Sequence, residues 1–243
     1  MSAIFKREML GYFTCPTGYV FAAIFFAISG ILFSITTFGF QSAATSTYFA
    51  LMLVSFIVLI PLLTMKLLSE ERKSKTEQIL LTSPVSLLGI VSAKFFAAYT
   101  LFAGTLITSS VINIYALYSI AKEQEDVISK LNLPTVIGSV IGILLIGAVF
   151  VSIGLFLSAL TETQVIAAVS SIGVFVLIFL FSFLPTFINN SAVRTVIKWI
   201  SVFDRFYIFT AGVFDITAIV YYISLTLVFI FLTIRIYEKR RWA

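Results

Sequence analysis

The 243-residue sequence has no histidine, one cysteine and five prolines, and only 11% of it is charged. Without histidine the commonest general base and metal ligand is missing. Cys15 has no partner within the chain, so cysteine usage says nothing about redox compartment. None of the twelve glycines precedes a lysine, which removes a phosphate-cradling Walker loop. Soluble domains carry roughly 25% charged and 45–50% apolar residues. Here 60% are hydrophobic, 26 are Phe, and mean hydropathy is +1.10. A soluble globular protein, a disordered chain and a nucleic-acid module are excluded, despite a net charge of +5 and a pI near 9.3. The composition is that of an integral membrane protein.

A spanning helix needs about 20 apolar residues, because ~30 Å of hydrocarbon is crossed at ~1.5 Å per residue. Residues 9–65 hold no Asp, Glu, Lys or Arg, room for two spans divided by the polar run 41–47. Further uncharged windows bring the expected spans to six: 19–40, 48–68, 93–119, 135–160, 164–184 and 216–236. An even number puts both termini on one side. That side, with the 66–94 and 161–163 loops, holds Lys6, Arg7, Lys66, Arg72, Lys73, Lys75, Lys94, Arg235, Lys239, Arg240 and Arg241. The other side holds Lys122, Lys130, Arg194, Lys198 and Arg205, offset by five acids. Excess Lys and Arg marks the cytoplasmic side, so both termini are expected there. The positive start followed by an apolar run reads as an uncleaved anchor rather than a secretory signal.

Three segments do not span. In residues 4–13, Ile4, Phe5, Met9, Tyr12 and Phe13 share one half of a helical wheel, with Lys6 and Arg7 opposite; Glu8 and Leu10 are exceptions. This suits either an interfacial helix over 1–17, apolar face on the membrane, or a simple positive anchor. Residues 69–86 mix acids and bases, with a small apolar patch at 79–81 before Pro84. They suit a short helix that docks a partner, or a solvated loop. In 185–215, Val193, Val196, Ile197 and Ile200 fall at helical spacing, and Trp199, Phe203, Phe206 and Tyr207 fit an interfacial aromatic belt. A gate or vestibule is the sharper reading there. Gly138 and Gly142 form a small-xxx-small pair that permits close helix packing. The spans hold almost no ionisable side chains away from their ends, which argues against a proton-driven carrier.

Residues 61–94 are more specific. Pro61-Leu62-Leu63-Thr64-Met65-Lys66, Ser69-Glu70-Glu71-Arg72-Lys73, Thr76, Leu80-Leu81-Thr82-Ser83-Pro84 and Lys94 resemble the type-2 ABC exporter permeases. The gliding-motility and nitrous-oxide-reductase-maturation types are the nearest subgroup. Leu157-Ser158-Ala159-Leu160-Thr161-Glu162-Thr163-Gln164, Gly212-Val213-Phe214-Asp215 and Arg240-Arg241-Trp242 add to the likeness, which runs over essentially the whole chain. The resemblance implies an all-α membrane fold over 1–243 as one transmembrane domain: six spans, an N-terminal amphipathic helix, a cytoplasmic coupling helix between spans two and three, and short outer helices before span six. It implies contacts to an ATPase through Glu70, Glu71, Arg72, Lys73, Thr76 and Leu80, and an interfacial helix bearing Phe5, Lys6 and Arg7. The family pattern has Gly before this Thr and Glu two residues after it, where Lys75 and Gln78 stand here.

By the same resemblance the chain binds no cofactor itself, ATP and Mg lying on a partner ATPase. The implied partners are two ATP-binding subunits, a second permease copy or homologue, membrane lipid and an extracytoplasmic accessory subunit, with no nucleic acid. The implied location is the bacterial plasma membrane. Uncharged, Phe-rich walls suit an amphipathic, lipid-like or peptide cargo moved outward. The competing expectations are an ATP-independent secondary carrier and a non-transporting scaffold for an ATPase-linked assembly.

Overall fold

The computed structural model describes residues 2–36, 45–76, 78, 86–123, 133–188 and 190–242. Leu80, Glu77, Pro84, Asn189 and the 41–44 part of the expected break lie outside them. The described residues form helices α1 (Ser2–Thr14), α2 (Pro16–Ser34), α3 (Thr45–Thr64), α4 (Ser69–Lys73), α5 (Leu87–Glu123), α6 (Leu133–Leu160), α7 (Gln164–Phe181), α8 (Leu184–Phe187), α9 (Ser191–Ile200), α10 (Phe206–Thr210) and α11 (Ile216–Trp242).

Six of these helices are long and apolar enough to cross a membrane. The segments are Pro16–Ser34, Thr47–Lys73, Leu87–Ala116, Pro134–Leu160, Gln164–Phe187 and Ile216–Arg241. The uncharged windows thus predicted the number of spans, with ends displaced by a few residues. The second segment runs on into α4. At ~1.5 Å per residue, the 37 residues of α5 outreach a ~30 Å hydrocarbon layer.

Helix α6 is the centre of the bundle, with α3, α5, α7, α10 and α11 packed around it. Apolar burial alone gives no reason for neighbours to approach closely in lipid, where small residues do that work. Along α6 they are glycines. A Cβ at Gly138 would lie 2.5 Å from the Phe209 carbonyl oxygen, one at Gly147 would clash with the edge of the Phe102 ring, and one at Gly154 would strike Thr64 Oγ1. At Gly142 it would press on Phe206 and Phe209 at 3.0 Å. The Gly138/Gly142 pair therefore seats α10 of the same chain. Outside the long helices, α1 packs on α2 and α5, and α4 on α6 and α7.

Between α2, α3 and α5 lies a polar knot that hydropathy conceals. Asn113 Nδ2 donates to Tyr48 OH at 2.7 Å and to Ser29 Oγ at 3.0 Å. Ser29 and Tyr48 hydroxyls are 2.8 Å apart, and Ser29 also bonds Ser109. In an apolar surround such groups must satisfy one another, which ties the three helices together.

Candidate functional site

The segment after α3 is short and almost entirely anchored by other elements. Helix α4 begins at Ser69, and its first backbone donors have no partner within the helix. The Leu68 and Ser69 amides donate instead to Ser158 Oγ on α6, at 3.2 and 3.1 Å. Arg72 then crosses to the α6–α7 turn, where Nη1 meets the Leu160 carbonyl at 3.2 Å and Nη2 meets Glu162 at 2.6 Å. Arg240, near the end of α11, donates to the Ala159 carbonyl at 2.5 Å. The run Ser158–Glu162 is thus the cradle of α4 and an anchor for α11.

A second anchor comes from α1 and α5. Lys94, about two turns into α5, is only 1% exposed. Its Nζ donates to Glu71 of α4 at 2.8 Å, to Glu8 of α1 at 3.0 Å and to the Leu67 carbonyl at 2.8 Å. Arg7 closes the ring, 2.7 Å from Glu8 and 3.0 Å from Glu71. Two cations and two carboxylates therefore join three elements at a single point. Burial pushes the Glu8 carboxyl up, but Lys94 and Arg7 together outweigh it and hold it below its ordinary value. The Glu8 hydrogen bond in turn holds the Arg7 guanidinium above its ordinary value.

These contacts sort the sequence-derived candidates. Glu71 and Arg72 are half-buried and occupied within the chain, whereas Glu70, Lys73, Ser74, Lys75 and Thr76 are exposed. Glu71 from the first group and Glu70, Ser74 and Thr76 from the second line a cleft of about 420 Å³ together with Lys66 and Lys94. Leu80 lies outside the described residues. On α1, Lys6 and Arg7 are exposed, but Ile4, Phe5 and Met9 pack against the protein core. The expected lipid-facing apolar side is therefore largely turned inward, because Glu8 must reach Lys94. Leu10 and Phe13 are the large apolar side chains left exposed on this helix.

Backbone geometry marks the end of α4. Lys75 has φ 58°, the left-handed region that glycine enters freely and other residues rarely. The resembling pattern has at this place Gly, the residue that enters this region freely. Ser74 Oγ, bonded to the Glu70 carbonyl at 2.9 Å and to Thr76 Oγ1 at 2.8 Å, holds that turn.

At the opposite end of the bundle, Asn190 caps α9 by accepting from the Ala192 amide at 3.1 Å. No residue of α9 is buried, and Val193, Val196, Trp199 and Ile200 are all exposed. Phe203 and Phe206 differ from the expected belt. They are buried, Phe203 against Phe150 and Phe179, Phe206 on Gly142. Tyr221 and Tyr222 of α11 hold the 200–202 backbone by donating to the Ile200 and Val202 carbonyls at 2.6 and 2.7 Å. Gly212, φ 75°, makes the turn back into α11.

Residues 27–237 match the family described as ABC-2 family transporter protein, and the chain belongs to that family. No curated protein matches the chain significantly. Family and fold together make it a multi-pass membrane protein and the transport subunit, or permease, of an ABC transporter. Such a subunit works with an ATP-binding partner.

Proposed function

We propose that this ABC-2 permease takes its power stroke at α4 and passes it to the membrane helices through the Lys94 cluster. The observation that carries the reading is Lys94 itself. One buried ammonium holds α1 through Glu8, α4 through Glu71 and the end of the second span through Leu67. A force on α4 is then shared by α1 and α5, while Arg72 and Ser158 share it with α6 and α7. The exposed Glu70, Lys73, Lys75 and Thr76 are the surface offered to the ATPase, and the end bearing them is cytoplasmic, in keeping with its excess of Lys and Arg.

Two copies of this chain, or one copy and a homologue, enclose the pathway with two ATPase subunits. Nucleotide binding biases the assembly between inward- and outward-open states, by no more than its differential affinity for them. The cargo is amphipathic, lipid-like or peptide, and moves outward. The gliding-motility and nitrous-oxide-reductase-maturation types are the subgroups this reading favours.

The test separates docking from transmission. Glu70→Lys combined with Lys73→Glu should abolish co-purification of the ATPase. Lys94→Met should keep the ATPase bound but lose ATP-driven transport. Full association and transport in the first variant would overturn α4 as the docking surface. Unaided transport by the permease alone would instead favour a secondary carrier, and a folded, ATPase-binding but inert complex would favour a scaffold.

A further inference from the structure

Where α9, α10 and the start of α11 meet, a pocket of about 570 Å³ opens at the end of the bundle opposite Lys94. Its walls carry two bases, Lys198 and Arg205, and two acids, Asp204 and Asp215. Among the described residues none of the four forms an ion pair. Arg205 is fixed all the same. Its Nε and Nη2 donate to the Trp199 carbonyl at 3.2 and 3.0 Å, and its guanidinium lies 4.2 Å from the centre of the Tyr221 ring. Nη1 has no partner among those contacts. Asp204 lines the pocket, and its buried Oδ2 has no hydrogen-bond partner among the described residues. Asp215 uses Oδ1 to cap α11 at the Thr217 amide, 2.9 Å away.

Opposite charges that line one pocket ordinarily pair with each other, because an unpaired charge at a half-buried site is costly. Here the backbone holds Arg205 away from its neighbour Asp204, and both signs are left facing one space. A ligand that satisfies both needs an anion and an ammonium a few bonds apart. The surroundings specify the rest. The pocket sits at the start of a spanning helix, and exposed Trp199 and Tyr207 line it. Exposed Val196 and Ile200 lie on the same short helix as Trp199. Aromatic side chains of this kind settle at headgroup depth, with acyl chains beside them.

We propose that this pocket binds the headgroup of a zwitterionic phospholipid, as in phosphatidylethanolamine. Its phosphate meets Arg205 and Lys198, its ammonium meets Asp204 and Asp215, and its acyl chains run along Val196 and Ile200. Arg205 suits the phosphate because the Trp199 carbonyl takes Nε and Nη2 and the Tyr221 ring takes only the guanidinium face, which leaves the Nη1 donors for a charge-assisted bond.

The chain has two tryptophans, so a Trp242→Phe background makes Trp199 the sole reporter. Purified protein in detergent micelles is titrated with phosphatidylethanolamine or phosphatidylglycerol carrying brominated acyl chains, which quench a nearby indole. Phosphatidylethanolamine should saturate the quenching at about tenfold lower mole fraction, a difference of ~1.4 kcal/mol. Lys198→Gln should weaken both lipids. Asp204→Asn should erase the preference while leaving phosphatidylglycerol unchanged. Among the described residues the exposed Lys198 side chain makes no hydrogen bond or ion pair, so this variant stays informative even if changes at Arg205 disturb the loop. Equal quenching by the two lipids, or no change in either variant, would overturn the proposal. Complete displacement by free glycerophosphoethanolamine at matching concentration would overturn the lipid assignment. Binding is read without an ATPase, so failure here leaves the α4 reading untouched.

Discussion

At the end of the bundle that carries both termini, Arg7, Glu8, Glu71, Lys94, Arg72 and Glu162 are all spent on one another. At the opposite end Lys198, Asp204, Arg205 and Asp215 line a pocket, and none of them forms an ion pair among the described residues. The sequence supplies both ends with mixed charge, so composition does not separate them. The separation lies in what each charge can reach. Near α4 three elements converge, and a single Lys94 spans the gap between two carboxylates from different helices. Near α10 the four charges belong to one continuous stretch, and Arg205 is turned to the Trp199 carbonyl and the Tyr221 ring rather than to either acid. Paired charges fasten elements together; unpaired ones remain available to something outside the chain.

The comparison breaks most decisively at Lys94. Removing one partner of a buried ion cluster leaves the others uncompensated, at a cost of roughly 3–5 kcal/mol. Lys94→Met should therefore lower the thermal unfolding temperature in detergent more than any single change at the far-end charges. Adding Glu8→Gln and Glu71→Gln should restore part of the loss, since the orphaned carboxylates are gone. If the triple variant is no more stable than Lys94→Met alone, the cluster is not acting as a unit.

Gly138→Ala sharpens the comparison from the far end. The new methyl meets backbone at the Phe209 carbonyl, which cannot swing aside as a side chain can. Overpacking of this sort costs about 1–3 kcal/mol. The displacement should be local: Trp199 emission shifts, while ATPase association at α4 is unchanged. Gly104→Ala is the control. Nothing lies within 4 Å of a Cβ there, and alanine is the better helix former. A loss of stability at Gly104 equal to that at Gly138 would show that α6 is not the close-packed axis.

The bundle itself was readable from the sequence because charge is excluded from lipid, so uncharged windows mark the spans almost directly. The fasteners were less legible. Ser158, Ala159, Leu160 and Glu162 stand out in the sequence only as a run matching a family, with nothing to show that they cradle a segment 90 residues earlier. Glu8 reads as an exception on the wheel of α1, and Lys94 as one more inside charge. A lone acid on an apolar face and a lone base inside a spanning helix are each costly, and that shared cost is the signal that could have paired them. Phe203 and Phe206 misled for the opposite reason. Aromatic belt and aromatic core use the same residue, and the receiving surface decides which turns inward: Gly142 of α6 admits Phe206, while Phe150 and Phe179 receive Phe203.

Glu8 also offers a pH test, smaller than either change above. Its folded-state carboxyl titrates below the ordinary 4.5, so it contributes stability above that value and loses it as pH falls through the lowered one. Acidifying from pH 6 toward 3.5 should destabilise the wild type more steeply than Glu8→Gln. Parallel pH curves for the two would mean that Lys94 relies on Glu71 alone.

The smallest effect concerns Lys75, whose left-handed backbone ends α4. Glycine relieves that conformation in the folded state but also frees the unfolded chain, so the two contributions oppose each other. Lys75→Gly should change stability by less than about 1 kcal/mol, measured as denaturant or thermal midpoint. Lys75→Val, with branching at Cβ, should cost more and should loosen the Ser74–Thr76 turn without disturbing Arg72 and Glu162. Transport would then fall while the ion-rich end stays folded, which separates the shape of the surface offered to the ATPase from the fasteners beneath it. Equal stability and transport in the valine and glycine variants would mean that the turn at Lys75 is not held by the fold.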